Sequence, residues 1–265
     1  MIGPRVAVVT GAARGIGAAT VLELARRGWS VLAVDMATDD KVLPYPMGSA
    51  EELDAVAAEG IRCGADVRAH IADVRDTDAL REAVHTAVTT WGGLDAAIGA
   101  AGVMAGGVPL WELPVEQEHT VLDVCLGGVM NLARVAIPAL LAQPQPRSGR
   151  FLAVASAAAT KGLPMLAAYC AAKAGVAGLI RALGAELGSS GVTANAVSPG
   201  STDTAILAES ARLYGLPEAA RFAEQQPMGR LLGPTEIAAV LAFLAGPESG
   251  AMTGSVVAVD GGLSL

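Results

Sequence analysis

The sequence has little charge and few aromatic rings: Asp, Glu, Lys and Arg make up 17% of 265 residues and Phe, Trp and Tyr 3%, against 52% hydrophobic. Disorder is excluded by that apolar content. Basic residues are few, 18 Lys and Arg against 26 Asp and Glu for a net charge of −8, and they form no cluster, so the electrostatic footprint of nucleic-acid binding is missing. Long uncharged runs are missing too. The two longest, between Asp95 and Glu112 and between Glu186 and Asp203, hold 16 residues each and carry Gly and Pro, too short to span a bilayer. Cysteine is scarce: Cys63, Cys125 and Cys170 stand far apart without a CxxC pair. With a Met1 segment that reaches a charge-bearing strand within five residues, they indicate free thiols in a reducing cytoplasm. His70, His85 and His119 lack metal-ligand spacing, and no metal site is expected. What fills the composition instead is Ala, Val, Leu and 32 Gly, small residues that the fold must need.

Short β-rich apolar runs alternate with longer segments of helical period, the signature of repeated βα units and a parallel sheet buried on both faces. Strands are expected at Arg5–Thr10, Trp29–Asp35, Val67–Ala72, Leu94–Ala100, Arg150–Ala155, Val192–Val197 and Ser255–Val259. Helices are expected near Gly15–Arg27, Glu51–Glu59, Thr77–Trp91, Glu116–Ala142, Leu166–Leu187 and Thr235–Ala245. Right-handed crossovers between seven such strands make one α/β doubly wound (Rossmann) domain over residues 1–265, since Gln143–Gly149 is an ordinary connection rather than a linker.

Where the first strand gives way to the first helix the chain reads Thr10-Gly11-Ala12-Ala13-Arg14-Gly15-Ile16-Gly17. Gly11 permits a tight turn, Gly15 lets backbone amides approach a pyrophosphate, and Gly17 lets the helix lie against the sheet with its N-terminus toward the phosphates. Eighteen residues past Gly17, Asp35 ends the second strand, where a carboxylate accepts ribose hydroxyls and repels a 2′-phosphate. That favours NAD, although the Arg14 guanidinium points the other way, toward a 2′-phosphate. Downstream, Tyr169 and Lys173 stand at i and i+4 on one helix face, and Ser156 lies 13 residues before Tyr169 at a strand end, where open parallel sheets gather their active sites. A cation beside a phenol favours the phenolate and makes the pair an acid/base candidate.

Glycine loop, Asp35, Ser156 and Tyr169/Lys173 in this register resemble the short-chain dehydrogenases/reductases over nearly the whole chain. The resemblance implies hydride transfer between a nicotinamide cofactor and a small apolar alcohol or ketone. Tyr169 would exchange the proton, Ser156 would orient the substrate oxygen, and Lys173 would lower the tyrosine pKa and bind the nicotinamide ribose. Gly11, Arg14, Gly15, Ile16, Gly17 and Asp35 would hold the adenosine half, with Asp73 and Val74 at the adenine and Ala100, Ala101 and Gly102 along the cleft. Pro199, Gly200, Thr202 and Thr204 would clamp the carboxamide, and residues 203–230 would form the substrate lid. Two departures stand out. Gly99-Ala100-Ala101-Gly102 replaces the family's NNAG, so bonds from those asparagines must come from backbone or water. Cys125 falls where the family places a proton-relay asparagine, which leaves Asp123, Asn131 or a water chain for the relay, or slow turnover.

Between Asp35 and Asp73 lie 37 residues, roughly a dozen more than the common pattern, with the insertion at about 36–60, Leu43-Pro44-Tyr45-Pro46 within it and a capping box at Ser49/Glu52. This resembles the mycofactocin-associated subgroup, in which NAD stays bound and a peptide-derived redox carrier reoxidises it; a neutral insertion in an ordinary dehydrogenase is the other reading. An NAD-binding regulator that has lost activity is the rival to an enzyme. An epimerase or dehydratase is disfavoured because Arg14 stands where their middle glycine would fall. Small residues along the Tyr169 helix, Ala171, Ala172, Ala174, Gly175, Ala177, Gly178 and Ala182, suit a helix-to-helix subunit contact and lead to the expectation of a homotetramer.

Overall fold

In the computed structural model, residues 4–265 are described; Met1, Ile2 and Gly3 of the expected domain lie outside them. The elements in chain order are β1 (Val6–Thr10), α1 (Gly15–Arg26), β2 (Ser30–Asp35), α2 (Ala50–Arg62), β3 (Val67–Ile71), α3 (Thr77–Trp91), β4 (Ala96–Gly99), α4 (Val115–Leu122), α5 (Gly128–Ala142), β5 (Arg150–Val154), α6 (Ala167–Glu186), β6 (Thr193–Pro199), α7 (Ala205–Leu213), α8 (Pro234–Ala245) and β7 (Val256–Val259). All seven strands join one parallel sheet in the order β3-β2-β1-β4-β5-β6-β7. The order reverses between β1 and β4, so their C-terminal ends part around a crevice, the place where such sheets bind ligands.

Central strands read as continuous apolar runs because helices cover both faces. Every residue of β1, β4, β5 and β6 is buried, whereas the edge strands β3 and β7 are half exposed. One face packs Val8, Leu32, Phe151 and Ala153 under α3, α5 and α6; the other packs Val9, Ala33, Ile98 and Leu152 under α1 and α8. Small side chains are needed where helices come closest. A Cβ on Gly175 of α6 would meet Leu126 at 2.8 Å.

The helix expected over Glu116–Ala142 is one continuous rod with a defect: α4 passes through a π turn at Asp123–Gly127 into α5. The extra residue in that turn places Val124 and Cys125 toward the interior. At 28 residues, Val115–Ala142 is long and apolar enough to cross a membrane by length and composition. The uncharged-run reading missed this, because Glu116, Glu118, Asp123 and Arg134 break the runs without breaking the helix. Here the rod lays Leu132, Ala136 and Leu140 on the sheet as a core helix.

Candidate active site

The β1–α1 turn is built by two close approaches. Gly11 has φ +68°, and a Cβ there would lie 2.6 Å from the Ala101 backbone; a Cβ on Gly17 would lie 1.9 Å from the Gly11 carbonyl oxygen. The turn, the end of β2 and the segment after β4 line a cleft at the β1/β4 reversal. Gly11, Arg14, Gly15, Ile16, Gly17 and Asp35 border it, as do Asp73, Val74, Ala100, Ala101, Gly102 and Thr204. Asp35 is oriented by backbone: its carboxylate accepts from Ala13 N at 3.0 Å and from Ala37 N at 3.2 Å. Arg14 lines the same cleft, and its Nη2 donates to the Pro46 carbonyl at 2.8 Å. Around the two missing asparagines the backbone finds side-chain partners. Ala101 N donates to Thr10 Oγ1 at 3.4 Å, and Val103 N donates to Cys125 Sγ at 3.4 Å.

Residues 36–49 form a strap along this cleft, and Met36, Met47 and Gly48, none of them anticipated, line it. Asp40, its side chain 4% exposed, accepts from Val42 N and Leu43 N and pairs with Arg75 Nη1 at 2.8 Å. Arg75 also grips Asp73, so that carboxylate is committed to an ion pair beside the cleft. Tyr45 reaches inward, its hydroxyl oxygen accepting from Met104 N at 2.7 Å. The capping box is present: Ser49 and Glu52 exchange hydrogen bonds at the start of α2.

At the end of β5, Ser156 Oγ caps a short turn by accepting from Ala158 N at 3.1 Å. Tyr169 sits in the first turn of α6, 9% exposed, and Lys173 one turn on, 4% exposed. Lys173 Nζ lies 5.6 Å from the Tyr169 ring centre and donates to the Val154 carbonyl at 2.8 Å. The expected lowering of the phenol pKa is reversed. Burial, followed by the neighbouring Cys125, pushes Tyr169 up, and the Ser156 hydroxyl offsets only part of this. Lys173 cannot counter it, because its own burial pushes the ammonium toward the neutral amine.

Cys125 is fully buried and its thiol is occupied at both ends, accepting from Val103 N and donating to Val103 O at 3.3 Å. The two side chains considered for its relay role stand elsewhere. Asp123 is exposed, and Asn131 donates to the Val74 and Arg75 carbonyls.

A second cavity, about 390 Å³, opens in front of Ser156 and Tyr169. Pro199, Gly200 and Thr202 form one side of it rather than part of the cleft; Thr204 and Ile206 face both spaces, while Lys173 borders neither. Between Ser201 and Leu232 the chain closes on itself through Gln226, a buried residue that sequence reasoning missed, whose Oε1 accepts from Ser201 N at 2.8 Å. Within this stretch α7 and a 3₁₀ turn at Ala219–Gln225 cover the cavity, with Tyr214 and Phe222 edge to face at 6.0 Å.

A family profile described as enoyl-(acyl carrier protein) reductase matches residues 11–264. Among similar proteins, the 3-oxoacyl-[acyl-carrier-protein] reductase FabG of Thermotoga maritima is 33% identical over 98% of both chains. The cis-4-hydroxycyclohexanecarboxylate dehydrogenase of Sinomonas cyclohexanicum is 37% identical over 97% of this chain and 96% of its own. Among solved structures, carveol dehydrogenase from Mycobacterium avium in complex with NAD superposes with a TM-score of 0.93 at 29% identity, over 99% of this chain and 98% of that one. With matches of this extent joined to a glycine-lined cleft and a Ser156, Tyr169 and Lys173 cluster, the chain belongs to the short-chain dehydrogenase/reductase family of oxidoreductases.

Proposed function

We propose that this protein is an NAD-dependent alcohol dehydrogenase or carbonyl reductase that interconverts a small apolar alcohol and its ketone or aldehyde. The carrying observation is a cavity whose reacting end presents the Ser156 and Tyr169 hydroxyls and whose walls are otherwise mostly apolar, set against the cleft that Asp35 borders. The cleft suits NAD: Asp35 is held ready to accept ribose hydroxyls, and Arg14, the one group that would favour a 2′-phosphate, is bound to the strap. When bound, NAD supplies the hydride acceptor and NADH the donor. Tyr169 would pass a proton to or from the substrate oxygen, Ser156 would orient that oxygen, and Lys173, bonded to the Val154 carbonyl at 2.8 Å, would hold the nicotinamide ribose by turning toward the cleft. With Asp123 and Asn131 facing elsewhere and the Cys125 thiol tied to the Val103 backbone, Lys173 and water are the route left for the proton.

The finer reading follows the strap. Its ties to Arg14, Arg75 and Met104 support retention of NAD between turnovers, with a peptide-derived carrier of the mycofactocin type as reoxidant. Free Cys63, Cys125 and Cys170 support a cytoplasmic setting. The test is Tyr169→Phe, screened on apolar alcohols with NAD beside an artificial electron acceptor. It should lose turnover by about 10²-fold or more, the scale of general acid–base catalysis, while NAD affinity stays within about twofold. Undiminished turnover sinks the assignment.

A further inference from the structure

Met104 lines the cavity in front of Tyr169. Among the described residues, this buried side chain alone borders both that cavity and a third, polar one of about 270 Å³ beneath the strap, where Pro44, Gln117, Glu209 and Arg212 stand. The two spaces differ in character. No Asp, Glu, Lys or Arg among the described residues lines the first. Three of the polar side chains along its wall are turned to protein partners: the Tyr214 hydroxyl donates to the Pro164 carbonyl at 2.6 Å, Ser210 to Ile206 O at 2.9 Å, and Thr202 to Gly200 O at 3.1 Å, which leaves Gln225 as a neutral amide on the wall. Behind Met104, by contrast, lies the Glu209 carboxylate, 5% exposed and held by Arg212 at 2.6 and 2.8 Å.

The backbone of Met104 is pinned from two sides. Its own N–H is held by the Tyr45 hydroxyl of the strap, and both backbone groups of Val103 are held by the Cys125 thiol. Where the two cavities share a residue, that residue is therefore a flexible thioether on a fixed stem. A longer molecule that passes from one to the other has to displace it, and a carboxylate on the substrate body would find no cation on this wall.

We propose that Met104 determines specificity: the site takes a compact secondary alcohol or ketone with its one oxygen at the reacting carbon, an uncharged body and a far end that stops at this side chain. Tyr45 acts through it as a positioning residue. The proposal rests on the alcohol–ketone reading above.

The experiment measures kcat/KM of the NAD-loaded protein on cyclohexanol, cis-4-hydroxycyclohexanecarboxylate, 2-dodecanol and 2-butanol. Wild type should prefer cyclohexanol to the carboxylate and to 2-dodecanol by about tenfold or more, the scale of discrimination by pocket contacts. Met104→Ala should raise the 2-dodecanol to cyclohexanol ratio by about tenfold, and Met104→Leu should keep the wild-type ratio. Tyr45→Phe should move the ratio in the direction of Met104→Ala, mainly through KM. Should Met104→Ala not fold, Met104→Phe decides in the opposite sense, raising KM for cyclohexanol while sparing 2-butanol. An unchanged ratio in folded Met104→Ala, or equal use of the carboxylate by wild type, overturns the proposal and leaves the alcohol reading standing. Failure of the NAD-loaded wild type to oxidise any of the four overturns both.

Discussion

Tyr169 and Lys173 are four residues apart, yet burial acts on them in opposite directions, holding the phenol protonated and the amine less charged than it would be in water. The consequence for pH follows from the proton's path. Reduction of a ketone needs the phenol as donor, the form that burial favours at neutral pH. Oxidation of an alcohol needs the phenolate, whose share grows about tenfold per pH unit below the raised pKa, itself above the ordinary tyrosine value of about 10. Initial rates from pH 7 to 10 should therefore rise with pH for oxidation and stay flat for reduction. Oxidation that is independent of pH over that range would show that another group takes the proton. The pairing of these two side chains was legible from their i, i+4 spacing. The sign of the pKa shift was not, because it depends on the depth at which α6 is packed, and spacing carries no information about depth.

Among the elements, the strap at 36–49 combines what sequence patterns reveal and what they hide. The capping box at Ser49/Glu52 was readable because it is a local exchange between residues three apart. The contacts that matter most span long separations: Arg14 to Pro46, Asp40 to Arg75 and Tyr45 to Met104. Nothing in the spacing of the chain announces them. Asp40 holds two strap amides and the Arg75 guanidinium from a buried position, so Asp40→Ala leaves three donors to find water. Each such loss costs about 1–3 kcal/mol where the donor stays buried. Wild-type protein should keep NAD through gel filtration and release it only on denaturation, while Asp40→Ala should shed it on the column, with absorbance of the eluate as the measure. Free exchange in the wild type would return the strap to the status of a neutral insertion. The seven-strand count was legible because each buried strand is a continuous apolar run, whereas the strand order is set by how the crossovers pack and is not written in any one run. The π turn was not legible either, since an extra residue in a helix leaves its apolar pattern nearly intact.

For the whole molecule, the surface of α6 is the telling feature. Inward it meets the π turn closely enough that a Cβ on Gly175 would press on the Leu126 side chain at 2.8 Å, whereas outward Ala171, Ala174 and Gly178 are exposed and a Cβ on Gly178 would meet nothing within 4 Å. A second helix can therefore approach this face to backbone distance, which supports the proposed tetramer. Light scattering should give the mass of four 26.5 kDa chains, and Gly178→Arg should dissociate them while leaving the fold intact by circular dichroism. A monomeric wild type would refute the assembly. The cleft and the cavity, finally, have a wall in common, since Thr204 and Ile206 at the start of α7 face both. A rotation of α7 would widen or narrow the two together, and displacement of the strap would open the cleft and release Met104 at the cavity through Tyr45. Neither the door over the substrate nor the one over the nucleotide can swing without being felt at the other.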